Sequence, residues 1–307
     1  MKVLVTGGAG FIGSNLSKQL LQEGHDVVIL DNLLSGYRCN LDAIPKAKFI
    51  EGDIRDSNSV NKAIDGCEVV FHLAASVGNK RSIDFPIDDV EINVLGTLTI
   101  LEAMRKHKVR KIIVSSSAGI FGELKTLPIK EDHPVEPDSP YGCTKLCEEK
   151  LSLAYAKLYE IEAVCLRYFN VYGLNQRFDA YGNVIPIFVF KLLKGESITV
   201  FGDGEQTRDF VNVKDVVQAN IVSGLNRGVS GAFNLGSGTR ITINRLIEMI
   251  KSFINEPVVV KYRAERPGDV RHSLADVNAL KKQLNFVPSI TMEDGLREYI
   301  NWVKTTL

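Results

Sequence analysis

Short β-branched apolar runs alternate with amphipathic stretches through the first half of the chain. Lys2–Thr6, Val27–Leu30, Lys48–Ile50, Val69–Leu73 and Lys111–Ser115 have the length and composition of strands, and Phe11–Gln22 repeats its apolar positions at helical spacing. Strands separated by helices imply a parallel sheet covered on both faces. Between Ile92 and Met104 the apolar set Ile92, Leu95, Leu98 and Leu101 forms a helical stripe that Val94 and Ile100 widen, broad enough to serve a core and a subunit contact together. After about Tyr168 the alternation breaks down into a Gly/Asn/Asp/Arg loop over 172–183, a helix near Pro186–Leu193 and a turn-rich segment at Gly202–Arg208. Phe233–Leu235, followed by Gly236-Ser237-Gly238, reads as one more strand and turn, and Leu246, Ile247, Ile250 and Ile254 mark a helix after it. The expected fold is α/β: a doubly wound parallel sheet over 1–167, with return segments near 211–238. A smaller, interleaved C-terminal domain would take 168–210 and 239–307.

Composition narrows the partners. The 37 Lys+Arg balance the 37 Asp+Glu, so no global positive field recruits nucleic acid or an anionic membrane, and any anionic ligand must be gripped locally. No apolar run approaches the roughly 18 residues of a membrane span. The start, Met1 to Gly8, turns glycine-rich after one short apolar stretch, which is not a signal-peptide core, so the expected location is cytoplasmic. Cys39, Cys67, Cys143, Cys147 and Cys165 include no Cys-x-x-Cys pair, so neither a disulfide framework nor a metal site is expected.

The chemistry begins at Thr6-Gly7-Gly8-Ala9-Gly10-Phe11-Ile12-Gly13, which follows the first strand and opens the first helix. Gly8-x-Gly10-x-x-Gly13 and Gly7-x-x-Gly10-x-x-Gly13 both fit the Rossmann-type dinucleotide fingerprint, in which small residues admit a pyrophosphate to the positive end of the helix. Asp31 closes the second strand where an acid accepts bonds from ribose hydroxyls. Its charge repels a 2′-phosphate, so NAD is expected rather than NADP. Asp53-Ile54 lies beyond the third strand and His72-Leu73-Ala74-Ala75 ends the fourth, at the sheet edge where ligands bind. Asp53 reads either as an adenine contact or as a loop cap, and His72 as a satisfied strand-end histidine.

Ser115-Ser116-Ser117 ends the fifth strand, and Ser139-Pro140-Tyr141-Gly142-Cys143-Thr144-Lys145 carries a helix-start signal. Tyr141 and Lys145 are then i, i+4 on one face, where an ammonium favours the phenolate a general base requires. On this reading Tyr141 takes a hydroxyl proton, Ser117 holds the substrate oxygen and Lys145 also binds the nicotinamide ribose. Alone, Tyr-x-x-x-Lys also describes an aromatic anchor beside a solvated lysine; the upstream glycine loop and strand-end serine favour catalysis.

With these motifs the chain resembles an extended short-chain dehydrogenase/reductase of the NAD-dependent nucleotide-sugar epimerase/dehydratase family across essentially its whole length. Further matching stretches are Asp31-Asn32, Asn93–Thr97, Arg167–Gly173, Gly202–Phe210 and Arg266-Pro267-Gly268-Asp269. The resemblance implies a cofactor cradle of Gly7, Gly10, Phe11, Ile12, Gly13, Asp31, Asn32, Asp53, Ile54, Leu73, Ala74 and Ala75, with Tyr141 and Lys145. It places catalysis on Ser117, Tyr141 and Lys145. It also places the substrate diphosphate on Asn170, Arg208 and Arg266 and the nucleotide ribose on Asp269, and it implies a homodimer through helices near Asp88–Lys106 and Tyr141–Tyr159. The C-terminal domain is then the substrate domain.

Within the family, dehydratases carry an Asp-Glu pair after the strand-end serine or threonine and decarboxylases a glutamate nearby; here Ala118-Gly119 follow. Cys143 is poorly placed for a 3,5-epimerase. The minimal set implies a UDP-sugar 4-epimerase acting through a 4-keto intermediate. Ser273, at the position that faces the sugar C2 substituent, leaves room for N-acetyl groups, so UDP-N-acetylglucosamine is expected beside UDP-glucose. Phe121 stands where a tyrosine is usual, removing a phenol near the sugar. Lys80 and Arg81 keep UDP-glucuronate 4-epimerase as the alternative, and a non-catalytic NAD-binding regulator is the reading from another class.

Overall fold

The computed structural model describes residues 1–178, 182–254, 257–265 and 270–307. The first half runs β1 (Lys2–Thr6), α1 (Phe11–Gln22), β2 (Asp26–Asp31), α2 (Arg38–Asp42), β3 (Lys48–Glu51), α3 (Ser57–Ile64), β4 (Val69–His72), α4 (Asn79–Asp84) and α5 (Pro86–Val90). A π-helical turn (Glu91–Leu95) leads into α6 (Gly96–His107), followed by β5 (Lys111–Ser117), α7 (Pro140–Leu158) and β6 (Glu162–Tyr168). The second half contains β7 (Asn170–Tyr172), α8 (Val184–Leu193), β8 (Ile198–Phe201), β9 (Thr207–Arg208), β10 (Phe210–Asn212), α9 (Val213–Leu225) and β11 (Gly231–Leu235). It ends with β12 (Ile241–Thr242), α10 (Ile243–Phe253), β13 (Val260–Arg263), α11 (Asn278–Leu284) and α12 (Met292–Thr306).

Among the described residues, seven strands form one sheet in the order β11-β6-β5-β4-β1-β2-β3, every neighbouring pair parallel. The strand order reverses between β1 and β4, and this switch point opens a crevice beyond their carboxyl ends. Both faces of the sheet are covered. Val3, Val5, Ile29 and Phe71 face α1 and α9 on one side, while Leu4, Val70, Ile112 and Val114 face α3 and α6 on the other. That two-sided burial is why the strands read as continuous apolar runs rather than alternating ones.

A second core gathers Phe188, Val189, Leu246, Ile250, Leu296 and Tyr299 from α8, α10 and α12. The chain reaches it after β6, returns through α9 and β11, and leaves again. Residues 239–307 were expected to belong wholly to this lobe; Leu280 and Leu284 of α11 pack instead in the core with α9 and β11. The helical stripe expected across 92–104 is interrupted by the π turn, and at Gly96, the first residue of α6, the absence of a Cβ lets the Ile54 side chain pack close.

Candidate active site

Where β1 ends, Gly7 turns with φ +70°, and a Cβ on it meets Ala74 N at 2.8 Å, so only glycine lets the two strand ends lie together. A Cβ on Gly13 runs into the Gly7 carbonyl oxygen and comes within 2.8 Å of Gly8 Cα. Thr6 ties the floor of this loop: its Oγ1 accepts from the Leu73 and Ala74 N–H groups at 3.2 Å. Gly10 caps α1 with no side-chain bond, so the first N–H groups of α1 face the crevice without side-chain competition. Phe11 and Ile12 pack back on the core.

Asp31 is buried at the end of β2. Its Oδ2 accepts from Ala9 N at 2.9 Å and its Oδ1 from Leu33 N at 2.8 Å. Burial lifts its pKa above the ordinary value for aspartate, against those two bonds. Asn32 Nδ2 donates to Asp53 Oδ2 at 2.9 Å, and Arg55 chelates the same carboxylate, holding it down at about 2. Asp53 is thus committed to its own loop, and the Ile54 side chain is in the core beneath Gly96. A glycine cradle, an uncapped helix start and a strand-end acid fit the diphosphate and ribose of a dinucleotide.

β5 and α7 bring Ser117, Tyr141 and Lys145 together beside this loop. Ser139 caps α7 by accepting from Gly142 N at 3.1 Å, and Gly142 has no room for a Cβ because Gly119 O lies 2.5 Å from where it would be. That contact seats the first turn of α7 on the Ala118–Ile120 turn after β5. A Cβ on Gly119 would lie 3.3 Å from Ser117 Oγ and 3.7 Å from the Tyr141 ring, so this glycine sits between the two catalytic candidates. Ser117 Oγ accepts from Gly119 N at 3.1 Å, leaving its own proton to donate. Lys145 is fully buried, 3.4 Å from Ser115 Oγ and 2.5 Å from Glu148 Oε2.

The sequence spacing implies a phenol made more acidic by Lys145. In the structure burial pushes the Tyr141 pKa up, and Lys145 and Ser117 offset this only in part. Burial is the larger effect, and the negative charges of Glu148 and Asp89 add to it. Burial depresses Lys145, but the charges of Glu148 and Tyr141 carry it above its ordinary value, so the ammonium persists.

Behind the pair, His72 is held neutral. Thr97 Oγ1 donates to Asn93 O, so it accepts from His72 Nε2 at 3.0 Å, and Thr6 Oγ1 donates to Nδ1 at 2.8 Å. Burial and the nearby Lys145 push its pKa down to about 3, consistent with a satisfied structural histidine. Asn93 is a further residue of the site that spacing does not reveal. It exchanges bonds with Ser76 N and O and reaches Thr144 Oγ1 at 3.0 Å, coupling the loop after β4 to α7. The π turn at Glu91–Leu95 carries it inward, and no periodicity in the sequence signals that turn.

The residues expected to meet the substrate lie on β7, on β9 and in the segment paired with it. Asn170 Nδ2 donates to Asp209 O at 3.0 Å, Arg208 Nη1 to Thr207 O at 2.9 Å, and Ser273 N to Thr207 O at 3.1 Å. Ser273 is buried beside β9, next to Arg208. Arg266 and Asp269 lie outside the described residues. Phe121 is turned into the core: its buried ring meets His133 edge-on at 5.4 Å and carries the Arg167 guanidinium at 5.2 Å. Cys143 is exposed on α7, and Lys80 is exposed and paired with Asp84 at 2.7 Å.

Known proteins share this sequence and fold. The profile of the NAD-dependent epimerase/dehydratase family matches residues 3–236. A UDP-glucose 4-epimerase of Mycolicibacterium smegmatis is 37% identical over 99% of both chains. The crystal structure of a Thermotoga maritima UDP-glucose 4-epimerase with UDP-glucose superposes with a TM-score of 0.95 at 36% identity, covering 100% of this chain and 99% of that one. A Methanobrevibacter ruminantium UDP-N-acetylglucosamine 4-epimerase in complex with UDP-N-acetylmuramic acid gives 0.95 at 37% identity, with the same coverage.

Proposed function

The chain belongs to the NAD-dependent epimerase/dehydratase family, and from that premise we propose that it inverts C4 of a UDP-sugar through a transient 4-keto intermediate. NAD, when bound, would supply the hydride acceptor and donor. The observation that carries the reading is the company Ser117, Tyr141 and Lys145 keep: the turn after Ser117 presents Ala118 and Gly119, with no carboxylate to eliminate water or assist decarboxylation. Tyr141 takes the C4 hydroxyl proton and later returns it, Ser117 donates to the same oxygen, and Lys145 holds the ammonium that stabilises the phenolate. Asn170, Arg208, Arg266 and Asp269 are the residues for the nucleotide diphosphate and ribose, arginine suiting phosphate by its bidentate fork. Incubation with UDP-glucose or UDP-N-acetylglucosamine and no added cofactor is expected to produce the anomeric proton signal of each 4-epimer. Absence of both signals after NAD is supplied removes the reading for these sugars.

The small Ser273 side chain supports acceptance of N-acetylhexosamines beside hexoses. Ser273→Tyr is expected to lower kcat/KM for UDP-N-acetylglucosamine at least about tenfold more than for UDP-glucose by filling the space for the acetamido group; equal losses on both substrates contradict the assignment. Lys80 has an acidic partner within α4, which weakens the uronate alternative.

A homodimer is part of the same proposal. Ile83, Phe85, Ile87, Val90 and Leu95 expose apolar surface along α4, α5 and the π turn, and Leu158 and Tyr159 do so at the end of α7. Sedimentation velocity is expected to return twice the chain mass at micromolar protein. A monomer throughout that range speaks against it.

A further inference from the structure

Directly behind the catalytic pair, α7 carries an acid that the proton transfer as described above does not use. Glu148 follows Lys145 by three residues and is fully buried. Its Oε2 lies 2.5 Å from Lys145 Nζ and its Oε1 3.7 Å from His72 Nε2. Among the described residues neither oxygen accepts a bond from a hydroxyl or a backbone N–H, so the ammonium is its one close compensation. An isolated buried carboxylate is costly, and an apolar side chain would fill the space without that cost.

The groups around it leave it no other task. Lys145, Tyr141 and Cys147 face it from α7, neutral His72 from β4, Asp89 from α5, and Cys165 and Tyr168 from β6. Asp89 is engaged by Thr144 Oγ1 at 2.6 Å, and neighbouring Glu149 is turned to Arg167 at 2.8 Å and Ser116 at 2.8 Å. Lys145 is therefore the one described cation in contact with Glu148, and the same cation acts on Tyr141.

We infer that Glu148 is a positioning residue for proton transfer: it holds the Lys145 ammonium drawn back and offsets part of its field at Tyr141. This rests on the proposed two-way chemistry. A base that must take a proton and then return it works best when neither form is strongly favoured, whereas a fully exposed ammonium would hold the phenolate too firmly. Burial also pushes the Glu148 carboxyl up to about 7, with Lys145 opposing, so its charge is itself responsive near neutral pH.

Two readouts separate this role from packing. In Glu148→Gln the acid limb of kcat/KM is expected about one pH unit lower, with a several-fold fall in kcat from the weaker base and little change in KM. The phenolate absorbance assigned to Tyr141, by difference from Tyr141→Phe, is expected to appear at correspondingly lower pH. Glu148→Asp keeps the charge but retracts it, so both readouts should move the same way by less; this variant carries the test should the amide fail to fold. Limbs and titrations that stay in place, or move upward, overturn the inference. The absorbance titration needs no substrate, so failure here is distinguishable from failure of the epimerase reading.

Discussion

Tyr141→Phe is expected to lower turnover of any accepted UDP-sugar by about 10³-fold, within the range by which positioned acid–base groups accelerate proton transfer. The substitution removes one oxygen and leaves the ring against Gly119 and the first turn of α7, so the fold and the glycine cradle are undisturbed. NAD affinity should therefore stay within a few-fold of wild type. Kinetic assays set beside a nucleotide-binding titration read both. A regulator built on this fold would show unaltered nucleotide response and no turnover to lose, whereas loss of turnover with retained binding identifies an enzyme whose base has been removed. Residual activity near the wild-type level would mean that another group moves the proton.

Gly13→Ala should be nearly as damaging by a different route. The added methyl group runs into the Gly7 carbonyl oxygen and within 2.8 Å of Gly7 C and Gly8 Cα, all backbone atoms of the cradle. Relief requires the loop to move away from α1, which opens the site where the first helical N–H groups meet the diphosphate. A loss of about 2–3 kcal/mol is expected both in unfolding free energy and in NAD binding, corresponding to roughly a hundredfold weaker affinity. Denaturant melts and NAD titration check the two quantities. Wild-type affinity in the alanine variant would show that the loop is not where the cofactor is held.

Much of the fold was legible because each part of it imposes a local requirement on the sequence. Buried parallel strands demand continuous β-branched runs, and the β1–α1 turn demands glycine at Gly7 and Gly13 for positive φ and close approach. Ser117, Tyr141 and Lys145 could be picked out because a strand end and a capped helix start announce themselves in Ser115–Ser117 and Ser139-Pro140. What stayed hidden depends on which face of an element is buried. The π turn that swings Asn93 inward has no periodicity of its own, and Ile54 stands beside Asp53 in sequence while its side chain serves the core. Glu148 could have been found: an acid three residues after Lys145 shares its helix face, so a buried lysine there implies a buried partner. The direction of the Tyr141 shift was misread because the spacing pairs tyrosine with lysine but does not show how deeply the phenol is buried, and burial outweighs the lysine. The C-terminal boundary was blurred because α11 is short and its two buried leucines do not reveal which core they enter.

The central claim is that C4 is oxidised and then reduced on its other face within one site, Tyr141 carrying the proton out and back. UDP-glucose deuterated at C4, incubated in ordinary water with the protein as purified, tests it most directly by NMR. The 4-epimer is expected to form with deuterium retained at C4. Epimer that has lost the label to solvent, or the absence of epimer from a protein that binds both NAD and the nucleotide sugar, contradicts the mechanism.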